Sequence, residues 1–349
     1  MKKFFGLISG LILILCMVAC NSNSVDITID EPETPLENAI QKGETVYPVT
    51  IVDQVGREVV IEKAPKRLVS GYYISTSLLI ALDLDELIVG LENNPEKRPV
   101  YSLSSPGLLD LPTVGSVKEF DLEGCASLNP DLVILPSKLK DTADTLEGLG
   151  ITTIIVNPES EDLLLEMIDI VSVATNTEDR GAELKSFITE NRDNLKARLD
   201  GAEEKRVYLA GNSSMLRTAS NKMYQGGMIE LAGGTNVAGE LTDDYWANID
   251  YEQLLAWNPD YIIMAADADY TIEDVLNDAA IAECNAVKTG NVYKIPSNIE
   301  SLDSPVPGGI LGSVWLASIL HPDVISLEER DSIIEEFYES FYEFKANEE

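Results

Sequence analysis

One sixteen-residue pattern occurs twice in this chain of 349 residues, at Phe120–Leu135 and at Ile249–Met264. Each copy begins with an aspartate followed two positions later by a glutamate, and ends in Asn-Pro-Asp followed by an apolar run. Aspartate is a favoured N-cap, whereas proline disfavours a helical conformation at the residue before it. The pattern therefore predicts a helix, a turn and a buried strand in each copy. Its repetition predicts two similar lobes.

Both copies place a glutamate in the first turn of the predicted helix, at Glu123 and Glu252, seven residues before the proline. The helix macrodipole favours a carboxylate there, so local stability is one explanation. The same offset in both lobes favours a second explanation, a two-point docking surface. Exposed ion pairs contribute only about 0 to 1 kcal/mol each, so such a pair would set orientation more than affinity.

The chain is acidic, with 25 lysines and arginines against 60 aspartates and glutamates and a formal charge of −35. Nucleic acids and anionic membrane surfaces are polyanions, so the charge disfavours both as partners. The apolar fraction of 45% is that of a globular protein, and the length allows two domains.

The N-terminus predicts export. Two lysines precede an apolar run that ends at Cys20, which predicts a signal peptide over residues 1–19. The residues around the cysteine resemble a bacterial lipobox, so we expect Cys20 to be lipidated and the protein to be anchored on the outer face of the cell membrane. A transmembrane anchor is disfavoured, because a span needs about 20 apolar residues. Residues 20–47 read as the lipidated cysteine and a flexible tether.

Strands and helices alternate through the predicted N-terminal lobe, residues 48–176. A β-hairpin is predicted at Val49–Ile61 and a first buried strand at Arg67–Ser70. We expect Ser75 or Thr76 to cap a helix at Ser77–Leu82. Four prolines predict a surface loop over residues 93–112. Ligands of such sheets bind at the carboxyl ends of the strands, where Tyr72 and Tyr73 are candidate contacts.

A long helix is predicted at Glu178–Leu199, within a connecting segment of residues 177–201. It would run about 30 Å as a stiff brace between the lobes. The βα pattern resumes in the C-terminal lobe, residues 202–349. The fold class is therefore α/β, with two Rossmann-like lobes, parallel-sheet cores, one rigid connecting helix and a ligand cleft between the lobes. Cys125 and Cys284 are expected to be buried thiols, although export permits a disulfide.

The second lobe offers four candidate ligand contacts. Trp246 lies in a polar segment, where an aromatic residue tends to mark a binding surface. The only histidine is His321, so a site for free zinc or manganese is poorly supported, since these sites use several histidine and carboxylate ligands. The four candidates are Arg217, Tyr245, Trp246 and Asp303.

Several further motifs occur in a specific order along the body: Asp53–Arg57, Pro65–Val69, both Asn-Pro-Asp units, Glu230–Ala238 and Trp315–Pro322. In this order they resemble the substrate-binding lipoproteins of ABC importers for iron-siderophores, heme and cobalamin, the class with a helical backbone. The resemblance covers about Val49 to Phe344. It implies a monomer that works with a dimeric ABC permease and its ATPase subunits, and no cofactor of its own.

The resemblance also assigns roles to individual residues. In that family one glutamate on each lobe pairs with arginines of the permease, and by position these are Glu123 and Glu252. An aromatic residue six positions before the second glutamate is matched by Trp246. The counterpart in the first lobe is Val117, where the cobalamin member has an aromatic residue, which weakens the case for cobalamin.

The cargo stays open at this point. An iron chelate or heme is favoured, with Tyr72 or Tyr73 as an axial ligand of heme, and a corrinoid comes next. An oxyanion such as molybdate or tungstate, held around Arg217, is the alternative. An enzyme such as a lipid-anchored hydrolase would have to use His321, and no Gly-x-Ser-x-Gly motif occurs. A surface adhesin is a third class.

Overall fold

The computed structural model describes residues 40–41, 44–242 and 246–346. The predicted signal peptide, Cys20, most of the predicted tether and the candidate Tyr245 lie outside these residues. Within them, no helix has the length and apolar character needed to cross a membrane.

Fourteen short strands occur in the described residues. They are β1 (Ile40–Gln41), β2 (Glu44–Thr45), β3 (Val49–Val52), β4 (Glu58–Ile61), β5 (Leu68–Ser70), β6 (Ile88–Gly90), β7 (Leu132–Pro136), β8 (Thr153–Val156), β9 (Lys205–Ala210), β10 (Arg217–Thr218), β11 (Gly234–Asn236), β12 (Ala247–Asn248), β13 (Tyr261–Met264) and β14 (Val292–Lys294).

Twelve α-helices accompany these strands in the same described ranges. They are α1 (Tyr73–Ala81), α2 (Pro99–Ser104), α3 (Leu122–Ser127), α4 (Lys140–Gly148), α5 (Glu161–Thr175), α6 (Glu178–Leu199), α7 (Tyr224–Leu231), α8 (Tyr251–Trp257), α9 (Ile272–Leu276), α10 (Asn285–Thr289), α11 (Ile310–Leu320) and α12 (Leu327–Tyr342).

Each lobe is built on a four-stranded parallel sheet, as the sequence predicts. The order is β6-β5-β7-β8 in the N-terminal lobe and β11-β9-β13-β14 in the C-terminal lobe. The central strands are buried on both faces, and every residue of β7 and β8 is buried. The predicted hairpin forms from β3 and β4, with Gly56 at φ +80° in its turn. The α/β fold with two parallel-sheet lobes is confirmed.

The connecting helix runs over Glu178–Leu199 as predicted. Gly181 lies at its crossing with α5, where an added Cβ would come within 2.9 Å of the Cβ of Ser172. Two helices of the C-terminal lobe, α11 and α12, also pack on it, and α12 reaches α1 of the N-terminal lobe. Phe187 of α6 contacts the rings of Phe337 and Phe341. The lobes are therefore joined by packing as well as by the connecting helix.

The chain enters the body at the turn between α5 and α6. The backbone N–H of Thr45 donates to Oδ1 of Asn176 at 2.7 Å, and its hydroxyl donates to the carbonyl of Val173 at 3.0 Å. Tyr47 adds a hydrogen bond to the carbonyl of Ala174 at 3.1 Å. These bonds fix β2 to the end of α5.

The first helix begins earlier than predicted. It starts at Tyr73, so Ser75 and Thr76 lie in its first turn and do not cap it. The Ser75 hydroxyl donates to the carbonyl of Tyr72 at 2.8 Å and lies 2.8 Å from the Ser70 hydroxyl. The hydroxyls thus connect the helix to the preceding strand, and the prediction of a Ser/Thr cap was wrong.

Residues 93–112 are more ordered than the predicted surface loop. Pro99 occupies the start of α2, where its missing N–H costs nothing, and Pro95 and Pro106 begin 3₁₀ turns in the same way. Val100 and Tyr101 are buried. The prolines therefore start helices in this segment, and the prediction of an irregular loop was wrong.

Three residues with possible chemistry have structural roles. Cys125 and Cys284 are buried free thiols, as expected. His321 is buried, and its Nε2 lies 3.1 Å from the carbonyl oxygen of Gly233. The histidine therefore fixes the turn after α7.

Candidate functional site

The two glutamate-bearing helices begin in the same way. Oδ1 of Asp121 accepts the backbone N–H of Gly124 at 2.8 Å at the start of α3. Oδ1 of Asp250 accepts the backbone N–H of Gln253 at 2.8 Å at the start of α8. The predicted aspartate caps are confirmed in both lobes.

The same helices end in the same way. Asn129 and Asn258 adopt left-handed backbone conformations with φ of 49° and 44°. Asparagine tolerates this region better than most residues, so it reverses the chain before the proline. The two sixteen-residue patterns thus form the same helix, turn and buried strand.

Glu123 and Glu252 lie in the first turns of these helices, and both side chains are exposed. Neither carboxylate makes a hydrogen bond or ion pair with any residue that the structure describes. Within the described chain, their charges are therefore available to an external cation.

Tyr72 and Tyr73 lie where β5 ends and α1 begins, at the carboxyl end of the N-terminal sheet. Their rings meet edge to face with centroids 5.3 Å apart, and both residues are half-buried. The Tyr73 hydroxyl donates to Oγ of Ser304 in the other lobe at 3.3 Å. Burial raises the pKa of both phenols above the ordinary value of 10.0, so both are neutral hydrogen-bond donors.

Arg98 joins this pair from the segment that the sequence assigns to a surface loop. Its guanidinium carbon lies 4.1 Å from the ring centroid of Tyr73, a cation–π geometry. The side chain makes no hydrogen bond or ion pair within the described residues. It lines a cavity of about 50 Å³ together with Asp267 and Ser301 of the C-terminal lobe. Arg98 therefore faces the junction of the two lobes.

Arg217 and Trp246 meet in the C-terminal lobe. Both are half-buried, and both approach Gly211, the residue after β9: an added Cβ there would lie 3.0 Å from Cβ of Arg217 and from the indole ring. One terminal nitrogen of Arg217 donates to Oγ of Ser213 at 3.2 Å. Its Nε is buried and has no hydrogen-bond partner in the described residues. The arginine and the indole thus lie side by side at the carboxyl end of this sheet.

Asp303 is buried at the junction of the lobes. Its Oδ2 accepts the backbone N–H of Ala266 at 3.2 Å, and its carbonyl accepts the side-chain amide of Gln225 at 2.8 Å. Burial, more than its other interactions, raises the pKa of the carboxyl group to about 6. The observed contacts of Asp303 hold the loop before α11 in place.

A wider cavity of about 580 Å³ lies between the lobes beside the connecting helix. Its walls come from the start of α5, the C-terminal half of α6 and the segment through α7. Charges of both signs line it, among them Glu161, Arg192 and Lys196. Pockets of small-molecule ligands are commonly about 300 to 1,000 Å³, so this space is large enough for a chelate.

Sequence reasoning missed Arg98 because the prolines around it suggested an exposed loop. One signal was present: the apolar pair Val100–Tyr101 directly after Pro99 is unusual for a solvated loop. The predicted Tyr72 and Tyr73 lie together, and Arg217 lies beside Trp246, as described above. No distance joins these two groups directly, and the role of each in binding stays a prediction.

Comparison with known proteins finds relatives that are all named as binding proteins. MolA of Haemophilus influenzae, a molybdate-binding protein, is 26% identical over 84% of this chain and 90% of that protein. The Fe(3+)-citrate-binding protein YfmC of Bacillus subtilis is 26% identical over 84% and 89%. YvrC of Bacillus subtilis, named an ABC transporter substrate-binding lipoprotein, is 27% identical over 93% and 99%. These relatives are solute-binding proteins and not enzymes, which excludes the hydrolase alternative.

Solved structures show the same fold. The molybdate-bound structure of MolA from Haemophilus influenzae matches with a TM-score of 0.76 at 24% identity, covering 85% of this chain and 99% of that one. CeuE of Helicobacter pylori in a nickel–histidine complex matches with a TM-score of 0.72 at 20% identity, covering 85% and 96%. The periplasmic binding protein family model matches residues 68–299. The chain belongs to this family and is the substrate-binding protein of an ABC importer.

Proposed function

We propose that this protein captures an oxygen-rich metal anion between its lobes and delivers it to the permease through Glu123 and Glu252. The cargo class comprises metal oxyanions such as molybdate and compact ferric chelates with carboxylate groups. The observation that carries the proposal is one arginine on each lobe with donors to spare. The Arg98 guanidinium makes no hydrogen bond within the described residues, and Nε of Arg217 is buried without an acceptor among them.

Arg217 supplies the stronger half of the argument. Burial of a hydrogen-bond donor without a partner costs about 1 to 3 kcal/mol, and more for a charged group. An anionic oxygen beside Nε would remove that cost and gain a charge-assisted hydrogen bond. Trp246, packed beside it, offers an apolar wall that would exclude water from the bond.

The tyrosines point to the same chemistry. Burial raises the pKa of Tyr72 and Tyr73, so both phenols are protonated when no metal is bound. Neutral phenols donate hydrogen bonds to oxygen atoms. The metal would therefore arrive surrounded by its own oxygen ligands, with the protein recognising those oxygens.

The acidic residues near Arg98 repel a bound anion less strongly than fully ionised carboxylates would. Burial raises the pKa of Glu300, on which Arg98 acts electrostatically, to about 7, so about half of this carboxyl group is neutral at pH 7. Among the relatives, MolA is named for molybdate and YfmC for ferric citrate, both oxygen-rich anions. A corrinoid, which is not such an anion, fits these donors less well.

Isothermal titration of the full chain would test the cargo, using molybdate, tungstate, ferric citrate, hemin and cyanocobalamin in turn. We expect binding by molybdate or ferric citrate, weakened about 10-fold to 100-fold in Arg217→Met, because hydrogen bonds to charged groups contribute about 1.5 to 3 kcal/mol. Arg206→Met is the matched control, since this exposed arginine lies near the start of β9, at the opposite end of the same sheet. Binding of cyanocobalamin alone, or an unchanged affinity in Arg217→Met, would reject the proposal.

The lipid anchor at Cys20 belongs to the same proposal. YvrC, matched over 93% of this chain, is named a lipoprotein. We expect the protein expressed in bacteria to incorporate labelled palmitate and to partition with membranes. Cys20→Ser should abolish both, and incorporation that persists in this variant would contradict the assignment.

A further inference from the structure

The lobes meet away from the connecting helix along a seam. We define the seam by Tyr73, Ser77 and Val100 on the N-terminal lobe and by Ile299, Glu300 and Ser304 on the C-terminal lobe. The backbone N–H of Val100 donates to the carbonyl of Ile299 at 3.2 Å, and the Ser77 hydroxyl donates to Oε1 of Glu300 at 2.5 Å. With the Tyr73–Ser304 bond, three hydrogen bonds join these six residues across the seam.

Glu300 lies in the middle of the seam and is 8% exposed. Only one of its oxygens is satisfied: Oε2 is buried without a hydrogen-bond partner in the described residues. The Ser77 hydroxyl that bonds Oε1 also lies 2.7 Å from the hydroxyl of Tyr342 on α12. A cavity of about 50 Å³ adjoins the carboxyl group.

The groups that face Glu300 do not neutralise a charge there. Arg98 on the segment before α2 acts on it electrostatically but forms no ion pair with it. Tyr338 and Tyr342 of α12 are neutral phenols, because burial raises their pKa well above the ordinary value of 10.0. The other titratable groups that line the cavity beside Glu300 are Tyr73, Tyr101, Lys97 and Asp267, and none of them forms an ion pair with it in the described residues. The hydroxyl of Tyr338 has no hydrogen-bond partner in the described residues.

A carboxylate in this position is therefore penalised. Burial raises the pKa of Glu300 from 4.5 to about 7, against smaller opposing effects of the Ser77 hydrogen bond and of Arg98. The seam thus contains a carboxyl group whose charged form is less stable in the closed seam than in water.

We propose that Glu300 is a proton-controlled latch between the lobes: its neutral carboxyl group keeps the seam closed, and its carboxylate loosens it. The latch acts through the Ser77 contact, because this bond joins the first helix of one lobe to the loop before α11 of the other. The proposal concerns lobe movement and does not depend on which cargo binds.

The sign follows from linkage. The carboxyl pKa is about 7 in the closed seam and would return toward 4.5 when the seam opens. The closed form is fully favoured below pH 4.5, loses stability as the pH rises toward 7, and changes little above that. A shift of this size allows the opening equilibrium to rise by up to about 300-fold.

Hydrogen–deuterium exchange of the full chain between about pH 5 and pH 8 would test the latch. Exchange in residues 299–304 and 327–342 is corrected for the intrinsic pH dependence of amide exchange. We expect the corrected exchange of the wild type to rise at least tenfold with pH. Glu300→Gln, which keeps the acceptor for Ser77 without the charge, should show a clearly smaller rise, and the rise that remains is due to Asp303 in the same loop. Ser77→Ala should exchange faster even at pH 5.

Glu92→Gln is the matched control. Glu92 is also buried, with a raised pKa due to burial, but it accepts from Thr76 and Tyr101, both of the N-terminal lobe. This variant should keep the pH dependence of the wild type. A flat profile in the wild type, an unchanged slope in Glu300→Gln, or the loss of the slope in Glu92→Gln would each overturn the proposal.

Discussion

Arg67 and Arg206 occupy corresponding positions in the two lobes, each just before or at the start of the first strand of its sheet. The Arg67 side chain donates to the carbonyl of Leu128 at 2.6 Å, and the Arg206 side chain donates to the carbonyl of Trp257 at 2.6 Å. Each cation thus binds the C-terminal end of a glutamate-bearing helix, where the macrodipole favours positive charge. The two helices that carry Glu123 and Glu252 are therefore stabilised at their C-terminal ends by equivalent arginine contacts.

The first prediction concerns the aspartate N-caps of these two helices. Asp121→Ala and Asp250→Ala should each lower the free energy of unfolding by about 1 kcal/mol, because each removes the acceptor for an N-terminal backbone N–H. Urea denaturation measures the change. Asp→Asn at either position retains an acceptor and should cost less. An alanine variant as stable as the wild type would show that the cap contributes nothing.

The second prediction concerns delivery. Glu123→Gln combined with Glu252→Gln should abolish most cargo uptake in cells and leave cargo affinity unchanged, because both side chains are exposed and neither carboxylate makes a hydrogen bond or ion pair with a described residue. Uptake and titration are measured on the same variants. Glu328→Gln is the control, since Glu328 is also an exposed first-turn glutamate, on α12. Full uptake by the double variant would remove the docking assignment.

The third prediction concerns the crossing of α5 and α6. Gly181→Ala should destabilise the protein by about 1 to 3 kcal/mol, because the added methyl group overlaps Ser172 in a packed crossing. Gly227→Ala in α7, where nothing lies within 4 Å of the new methyl group, should instead stabilise it by up to about 1 kcal/mol. Thermal denaturation of the pair distinguishes packing from helix propensity. Stability changes of the same sign in Gly181→Ala and Gly227→Ala would contradict this explanation.

The fourth prediction concerns Asp303. Its pKa is raised from 3.8 to about 6, mainly by burial, so its contribution to stability is greatest below pH 3.8 and is lost as the pH rises to about 6. The wild type should therefore lose about 2 kcal/mol relative to Asp303→Asn between about pH 4.5 and pH 7. Urea denaturation at both values measures it. If the difference in unfolding free energy between the wild type and Asp303→Asn does not depend on pH, the pKa of Asp303 is not raised.

The sequence predicts the long-range organisation where the signals for helix ends agree with the spacing of the apolar residues. The connecting helix was predicted at Glu178–Leu199 because it has apolar spacing, acidic residues at its start and no interior proline. The start of α1 was missed because Ser75 and Thr76 look like caps. In the structure the hydroxyls of Ser75 and Thr76 form hydrogen bonds with Ser70 of β5. A local capping rule does not predict this tertiary contact.

The positions of some candidate contacts could be predicted from the sequence for the same reason. Tyr72, Tyr73, Arg217 and Trp246 stand next to strands or motifs that sequence patterns reveal. Arg98 is brought to Tyr73 by two short helical turns whose prolines also fit a loop. Its place depends on the burial of Val100 and Tyr101, which is decided by packing between the lobes.

The attachment of Thr45 has a mechanical consequence. A pull transmitted along the chain from its N-terminal side reaches the body first at Asn176 and Val173, at the turn between α5 and α6. The load therefore falls on the end of one helix and the start of the connecting helix. Neither parallel sheet nor the seam at Glu300 lies at this point of attachment, so such a load would enter the body away from both.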